Sequence, residues 1–250
     1  MTLYVSILSV AAVVAAAAAC VDAWRFLETW TGRIRIGRWR DRRAWQDALA
    51  RKASAWMKRM PPVPKKAYGV HVADGAIQGW QLAGLSLGLN AYAGDRNDGD
   101  LREKLRGALG SHELVVNYLE RENPGTWEVD RMLLDYAVLE AGCGVEERLV
   151  EKSLAFLESL KTEAGTLAYR RGQPAVRYVD TIGLACPLAA ACAARTGREE
   201  DWNLAARQVE EYDAALLAGS SFPAHGFEMD RGYPLGLYDW SRGIGWDALG

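Results

Sequence analysis

Two aspartates, Asp130 and Asp180, lie where predicted helices begin, at a separation of 50 residues. Asp180 stands in front of an apolar run in the stretch VRYVDTIGLACPL, residues 176–188. An aspartate at this point caps a helix by accepting hydrogen bonds from unpaired backbone N–H groups. A carboxyl group beside a second carboxylate can instead keep its proton and act as a general acid. The local sequence leaves both roles open for Asp180.

The stretch TWEVDRMLLDYAVLE offers two candidates for a second carboxylate. Asp130 precedes the apolar part of the predicted helix, whereas Asp135 falls one turn or more inside it. A first-turn acid such as Asp130 is also favoured by the helix dipole alone. We therefore predict that Asp130, rather than Asp135, is the partner of Asp180.

A second cluster of residue types able to bind an acidic sugar follows further along the chain. His225 lies beside a glycine, and Arg242 lies between Trp240 and Trp246 in the stretch WSRGIGW. A guanidinium group pairs with carboxylates through two parallel hydrogen bonds, and indole rings stack on sugar faces. An arginine packed between tryptophans for structural reasons has the same sequence pattern.

The elements that position these residues are predicted to be helices, because apolar residues recur at three- and four-residue spacing and no convincing strand pair is present. Two long irregular segments, 161–179 and 218–245, separate helices and contain the candidate residues, as functional loops often do. Short turns containing glycine between the other helices indicate stacked αα-hairpins. The predicted helices cover residues 43–60, 73–92, 101–120, 127–142, 146–160, 180–194 and 199–217.

Residues 3–21 carry no charge and are long enough to cross a bilayer as one helix. A signal peptide is the competing interpretation, but no Lys or Arg precedes the apolar run. Arginines are frequent directly after it, so the positive-inside rule places the rest of the chain in the cytoplasm. We predict an anchor over 1–24, a basic juxtamembrane segment over 25–44 and one domain over 45–250.

Composition excludes some classes of function. A net charge of -2 argues against a nucleic-acid-binding protein. The four cysteines show no CxxC pair and no histidine at ligand spacing, so we expect reduced core thiols and neither disulfides nor a zinc site. Ten tryptophans and ten tyrosines against four phenylalanines fit a carbohydrate cleft, although they also fit ordinary helix packing.

Three motifs in order, VRYVDTIGLACPLAAACAARTG, AHGFE and WSRGIGW, resemble the unsaturated glucuronyl and rhamnogalacturonyl hydrolases of glycoside hydrolase families 88 and 105. The resemblance covers residues 165–250 and is weaker upstream. It implies an all-α fold, the (α/α)6 six-hairpin barrel, of which about eight helices are predicted after the anchor. The barrel is therefore expected to be incomplete at the C-terminus of this truncated domain.

The resemblance also implies a reaction and a set of roles. The substrate would be an oligosaccharide with a 4,5-unsaturated uronic acid at its non-reducing end, which is opened by hydration of its vinyl ether. Asp180 would be the acid and Asp130 its electrostatic partner, without a metal or organic cofactor. His225 and Arg242 would bind the uronate or the added water, and Trp240 and Trp246 would shape the sugar site.

Three other interpretations remain open at this point. The first is a non-catalytic, membrane-tethered α/α-barrel protein that binds glycans or partners. Another enzyme with an α/α toroid, such as an ordinary glycosidase or a terpene-cyclase-like protein, also fits a helical domain. The third is a purely helical scaffold, because a fold by itself does not define a function.

Overall fold

The computed structural model describes residues 2–34, 41–58, 63–67, 70–74, 77–120, 129–217, 220–238 and 240–249. The chain divides into two compact units, residues 1–77 and 78–250. Both are described separately below. The chain is mostly helical, with few strands, which confirms the helical fold class predicted from the spacing of apolar residues.

The first unit contains two helices and one small sheet. Helix α1 spans Thr2–Ile34, α2 spans Arg42–Lys58, and strands β1 (Val63–Ala67) and β2 (Val70–Asp74) pair antiparallel. Within α1, the 24 residues Tyr4–Leu27 are long and apolar enough to cross a membrane by length and composition. This window is not buried against other parts of the protein, as expected if lipid covers it.

The second unit is built from helical hairpins and one three-stranded sheet. A short 3₁₀ turn, Val129–Arg131, stands directly before α6, and strands β3, β4 and β5 form an antiparallel sheet in that order. The helices are α3 (Gly79–Asp95), α4 (Gly99–Gly110), α5 (Glu113–Glu120), α6 (Met132–Ala141), α7 (Glu146–Leu160), α8 (Asp180–Thr196), α9 (Glu199–Leu216) and α10 (Ser241–Asp247). The strands are β3 (Val176–Tyr178), β4 (Gly226–Glu228) and β5 (Tyr233–Leu235).

Four helices of this unit pack side by side, and each of the first three is followed by an outer partner. Helix α3 packs on α6, α6 on α8, and α8 on α10, while α4, α7 and α9 return along α3, α6 and α8. Most residues of α6 and α8 are buried, because these two helices have neighbours on both sides. Their apolar sequences lack a polar stripe for this reason.

The hairpin turns follow from local chemistry. Helices α6 and α8 end at Gly142 and Gly197, which adopt positive φ values of 68° and 71°. Glycine takes this left-handed conformation without a steric penalty and ends helices for that reason. Asp98 caps helix α4, because its carboxylate accepts a hydrogen bond from the N–H of Leu101 at 3.0 Å.

The expectation that no strands pair is wrong. Two antiparallel sheets are present in the described residues, and both long irregular segments contribute strands to the second. Strands of three residues are too short to show an alternating pattern, which is why the sequence did not reveal them. Segment 218–245 also contains the start of a helix, α10.

Two predicted helices have different limits in the structure. The helix expected over 73–92 starts at Gly79, and residues 70–74 form β2. The helix expected over 101–120 is two helices, α4 and α5, which are separated at Ser111 and His112. The Ser111 N–H donates back to the carbonyl of Gly107 and closes the last turn of α4.

The cysteines are free, as expected, but only two of them belong to the core. Cys186 and Cys192 are buried in α8, whereas Cys143 is half-buried and Cys20 is exposed on α1. The prediction of core thiols is therefore wrong for Cys20. Its side chain lies within the apolar window of α1, which is not buried by the residues that the structure describes.

Candidate functional site

The amino ends of several helices lie next to one another in the second unit. Asp180 is the first residue of α8, and Asp130 lies in the 3₁₀ turn before α6. Gly79 begins α3 so close to this turn that a Cβ atom on it would lie 3.7 Å from the Asp130 carbonyl oxygen. Helix amino ends carry partial positive charge, so this end of the unit favours an anionic ligand.

Asp180 is shielded but not sealed from solvent. Its Oδ2 atom lies 3.7 Å from Nε2 of His225, and its side chain is 15% exposed whereas that of His225 is 41% exposed. Burial raises the pKa of the Asp180 carboxyl, and the Asp130 carboxylate raises it further. His225, the Asp180 backbone N–H and Arg242 act in the opposite direction and lower this pKa, but burial dominates.

The structure does not show Asp180 as a helix cap. The capping position of α8 is Val179, and no capping side-chain hydrogen bond is made there. In the part of the chain that the structure describes, the polar neighbours of the Asp180 carboxylate are its own N–H and the His225 imidazole. The carboxylate is thus close both to the first N–H of its own helix and to the His225 imidazole.

Asp130 has a specific hydrogen-bond donor. The hydroxyl of Tyr169 donates to Oδ1 of Asp130 at 2.6 Å, although the two residues are 39 positions apart. Both side chains are half-buried. Asp130 also contributes to the electrostatic environment of Asp180, so the two predicted catalytic carboxylates are neighbours in the folded chain.

Asp135, the alternative to Asp130, lies in a different environment. It is completely buried and forms an ion pair with Arg131, in which Nε and Oδ1 are 2.5 Å apart. The Ser153 hydroxyl lies 3.4 Å from its other oxygen. Burial raises the pKa of Asp135 to about 6 against the lowering influence of Arg131. This carboxylate is part of the core and faces no open site.

His225 is placed beside Asp180 by backbone hydrogen bonds on both sides. The carbonyl of His225 accepts from the N–H of Val179, and its own N–H donates to the carbonyl of Leu237, both at 3.1 Å. The next residue, Gly226, must lack a side chain because a Cβ atom would lie 2.9 Å from the carbonyl oxygen of Arg177. The three-stranded sheet therefore fixes the distance between His225 and the start of α8.

Trp240 and Arg242 approach the same site from the start of α10. The rings of His225 and Trp240 meet edge to face with centroids 4.7 Å apart, and the guanidinium carbon of Arg242 lies 4.3 Å from the Trp240 ring centroid. Gly243 permits this approach, since a Cβ atom on it would lie 2.8 Å from the Trp240 ring. Arg242 is exposed and can reach a ligand.

Trp246 lies about one turn beyond Arg242 in α10 and is half-buried. Its ring meets that of Trp80 edge to face at 6.1 Å, and its backbone packs against Gly183 of α8. Its indole nitrogen is buried and has no hydrogen-bond partner among the described residues. The structure thus brings five of the six predicted residues into one cluster and places Trp246 beside α3 and α8.

Three aromatic residues of this region were not selected from the sequence. Tyr169 and Tyr178 continue the row of rings from His225 towards Asp130, with centroid separations of 5.4 Å and 5.3 Å between successive rings. Trp80 lies at the start of α3. No local pattern marked Tyr178, because β3 has only three residues and the chain enters α8 directly after it.

The arrangement can carry out proton transfer next to an anionic ligand. It contains a shielded carboxyl with a raised pKa, a neighbouring carboxylate, an imidazole and an exposed guanidinium group. Such a combination of acid and charge partners in a partly buried site is typical of functional centres. Among the residues that the structure describes, no group of three or more His, Cys, Asp or Glu side chains is placed to hold a metal ion.

Comparison with known proteins adds no relative to this description. No protein family, curated protein or solved structure matches the chain significantly. The functional interpretation therefore depends on the residues of the site and on their geometry.

Proposed function

We propose that this protein is a glycoside hydrolase that acts on oligosaccharides with a 4,5-unsaturated uronic acid at the non-reducing end. The observation that carries the proposal is the position of Asp180, whose partly buried carboxyl lies 3.7 Å from Nε2 of His225 and within electrostatic reach of the Asp130 carboxylate. A carboxyl group that keeps its proton near neutral pH is the group that protonation of a vinyl ether requires.

The proposed reaction begins with transfer of the Asp180 proton to C4 of the unsaturated ring. The electron pair of the C4–C5 double bond forms the new C–H bond, and the positive charge at C5 is shared with the ring oxygen. Water adds at C5 and returns a proton to the Asp180 carboxylate. The hemiketal then opens, the sugar becomes a keto-aldehyde, and the remaining oligosaccharide leaves with a free hydroxyl group.

Asp130 has an electrostatic role in this scheme. A negative charge near a carboxyl group raises its pKa because the second ionisation places like charges together. Asp130 is such a neighbour of Asp180, and its hydrogen bond from Tyr169 stabilises the charged form. In this scheme Asp180 holds the proton, and Asp130 carries the negative charge that raises the pKa of Asp180.

Substrate binding is assigned to the residues around this pair. Arg242 is exposed, and its planar guanidinium can donate two parallel hydrogen bonds to the uronate carboxylate. Helix amino ends nearby also favour an anion. His225 would bind the uronate or the attacking water, Trp240 would face the sugar ring, and Trp246 would support the site through its contact with α8.

The described helices are proposed to be part of an (α/α)6 six-hairpin barrel. In such a barrel an inner ring of helices alternates along the chain with an outer ring. The support is the side-by-side packing of α3, α6, α8 and α10, with α4, α7 and α9 as partners of the first three. The clustering of the candidate residues at one end of these helices also agrees with a cleft at a barrel mouth.

A location at the membrane is the second part of the proposal. The apolar window of α1 provides a segment that can cross a bilayer. Arginines follow this window in the sequence, which by the positive-inside rule favours a single-pass protein whose hydrolase domain faces the cytoplasm. Substrate would then have to be an oligosaccharide present inside the cell.

The function can be tested with the full chain in detergent micelles and a panel of disaccharides made by polysaccharide lyases. The double bond conjugated to the carboxylate absorbs in the ultraviolet, so hydration removes this absorbance as the second sugar is released. A thioglycoside analogue provides a control for mechanism. Hydration at C4–C5 does not need protonation of the glycosidic atom, and the analogue should therefore also lose its absorbance.

Two outcomes would contradict the proposed function. If the oxygen-linked substrates react but the thioglycoside does not, the protein is an ordinary glycosidase, which needs a second carboxyl group flanking the bond. If no substrate reacts but the oligosaccharides bind, the alternative of a non-catalytic glycan-binding protein with a membrane tether is favoured.

A further inference from the structure

Tyr169 is the donor to the Asp130 carboxylate and is itself held firmly. The N–H of Leu167 donates to the Gln208 side chain at 2.6 Å, and the N–H of Ala168 donates to the Leu160 carbonyl at 2.9 Å. Leu167 and Ala168 are both buried. The segment before Tyr169 is therefore anchored to α7 and α9, which fixes the point from which the phenol reaches Asp130.

The ring of Tyr169 is also fixed by a neighbour. It meets the Tyr178 ring at 5.3 Å between centroids, with an angle of 64° between the ring planes. Tyr178 belongs to β3, directly before Asp180. One tyrosine is thus in contact with both halves of the site, through its hydroxyl to Asp130 and through its ring to the strand that leads to Asp180.

Several charged groups surround the two carboxylates in the described part of the chain, and the guanidinium carbon of Arg170 lies 5.5 Å from the centroid of the Tyr169 ring. Asp180 is influenced by His225 and Arg242 from the sheet and α10, and by Asp130 from the 3₁₀ turn. Helix α3 presents no acidic or basic residue in its first turn. Helix α6 presents Asp135 there, which is buried and paired with Arg131.

From this geometry we propose that Tyr169 is a positioning residue that holds the Asp130 carboxylate in place as the charged neighbour of Asp180. The phenol hydroxyl stabilises the ionised carboxylate because it donates a hydrogen bond to it. Tyr169 acts on Asp180 only through Asp130. The expected effect of Tyr169 on the hydration rate rests on the proposed function, whereas its expected effect on the titration of Asp180 does not.

The electrostatic arm uses the full chain in detergent micelles with aspartate labelled by ¹³C at the side-chain carboxyl. The resonance of Asp180 is identified by its absence from the spectrum of Asp180→Asn. Asp130→Asn removes the charge and should lower the titration midpoint of Asp180. Tyr169→Phe lets the Asp130 carboxylate turn away from Asp180 and should lower the midpoint by a smaller amount.

The double variant decides whether the tyrosine acts through Asp130. We expect Tyr169→Phe to cause no further change of the Asp180 midpoint when Asp130→Asn is already present, because coupled residues are not additive. An equal change in both backgrounds, or no change in either, would overturn the inference. Tyr136→Phe, a half-buried tyrosine on α6 that faces a groove near α9, is the matched control and should leave the midpoint unchanged.

The catalytic arm measures hydration of an unsaturated disaccharide. Tyr169→Phe should reduce kcat about tenfold with little change in KM, which corresponds to one hydrogen bond to a charged group. The phenylalanine ring keeps the contact with Tyr178, so thermal unfolding should be close to that of the wild type. A variant that unfolds far earlier would assign Tyr169 a structural role and contradict the inference. If the wild type hydrates nothing, the proposed function fails while the carboxyl titration still decides the inference.

Discussion

The backbone of Trp246 occupies the space that a side chain on Gly183 would need. A Cβ atom at Gly183 would lie 2.4 Å from the Trp246 carbonyl oxygen and 2.8 Å from its Cα atom. Helices α8 and α10 are therefore in backbone contact directly below the site. Arg242 and Trp240 owe their positions near Asp180 to this contact.

The first prediction follows from that contact. Gly183→Ala should force α10 away from α8 and destabilise the protein by about 1–3 kcal/mol, the usual cost of overpacking a core. Gly88→Ala is a matched control, since nothing lies within 4 Å of its Cβ position in α3. That control should be neutral or stabilising, because alanine favours a helix over glycine. Chemical denaturation of both variants measures the difference, and equal stabilities would disprove the contact.

The second prediction concerns stability and pH. The pKa of Asp247 is raised from 3.8 to about 6 by burial and by the neighbouring Asp213 carboxylate. A carboxyl with a raised folded-state pKa binds more protons in the folded than in the unfolded state between these values. Its contribution to stability is therefore present below pH 4 and is lost as the pH rises through about 6.

Asp247→Asn removes this titration and should make the free energy of unfolding less dependent on pH between about 4 and 7. The comparison with the wild type isolates Asp247 from other groups that titrate in the same range, such as Asp135. Urea denaturation over this pH range provides the measurement. A variant with the same pH dependence as the wild type would show that Asp213 and Asp247 do not interact.

The third prediction concerns recognition of the substrate carboxylate. Arg242→Gln should raise KM about tenfold while kcat changes little, because the lost ion pair is made in both the ground state and the transition state. Arg242→Lys keeps the positive charge but lacks the planar pair of N–H donors, and its KM should lie between those of the wild type and Arg242→Gln. Arg198→Gln, at the opposite end of α8, removes the same charge and should leave both constants unchanged. A normal KM for Arg242→Gln would exclude Arg242 from carboxylate binding.

The fourth prediction concerns the orientation of the anchor. A fluorescent protein fused to the C-terminus should fluoresce in a bacterial host, and an alkaline phosphatase fused there should be inactive, because the domain is expected in the cytoplasm. A matched variant with lysines added after Met1 and glutamines in place of the following arginines should reverse both signals. The arginines replaced are Arg33, Arg35, Arg38, Arg40, Arg42 and Arg43. Active phosphatase on the unmodified chain would contradict the predicted orientation.

Helix positions were predictable because helices of this length show apolar residues at a regular three- and four-residue spacing. The apolar spacing located α2, α7, α8 and α9 to within a few residues. The strands were not predictable, because β3 to β5 have three residues each and are held by partners far away in the chain. Register between such distant segments depends on tertiary contacts that no local pattern records.

The site was predictable in residue types but not in its connections. The sequence indicated Asp130, Asp180, His225, Trp240 and Arg242 as candidates, and these residues come together in the structure. The bond from Tyr169 to Asp130 joins residues 39 positions apart, and no spacing rule predicts it. The sequence favoured Asp130 over Asp135 because Asp135 falls later in the helix, and the structure adds that Asp135 is buried in the core whereas Asp130 is half-buried.

The central claim is that Asp180 donates the proton that hydrates the unsaturated sugar. Its most direct test compares the rate of ultraviolet absorbance loss for the wild type and for Asp180→Asn, with Asp230→Asn, an exposed aspartate in the turn between β4 and β5, as control. The wild type and the control should react equally, and the rate should fall as the pH rises through the raised pKa of Asp180. Asp180→Asn should be slower by about 10²–10⁴-fold, the usual contribution of a general acid. A rate for Asp180→Asn close to that of the wild type would contradict the account.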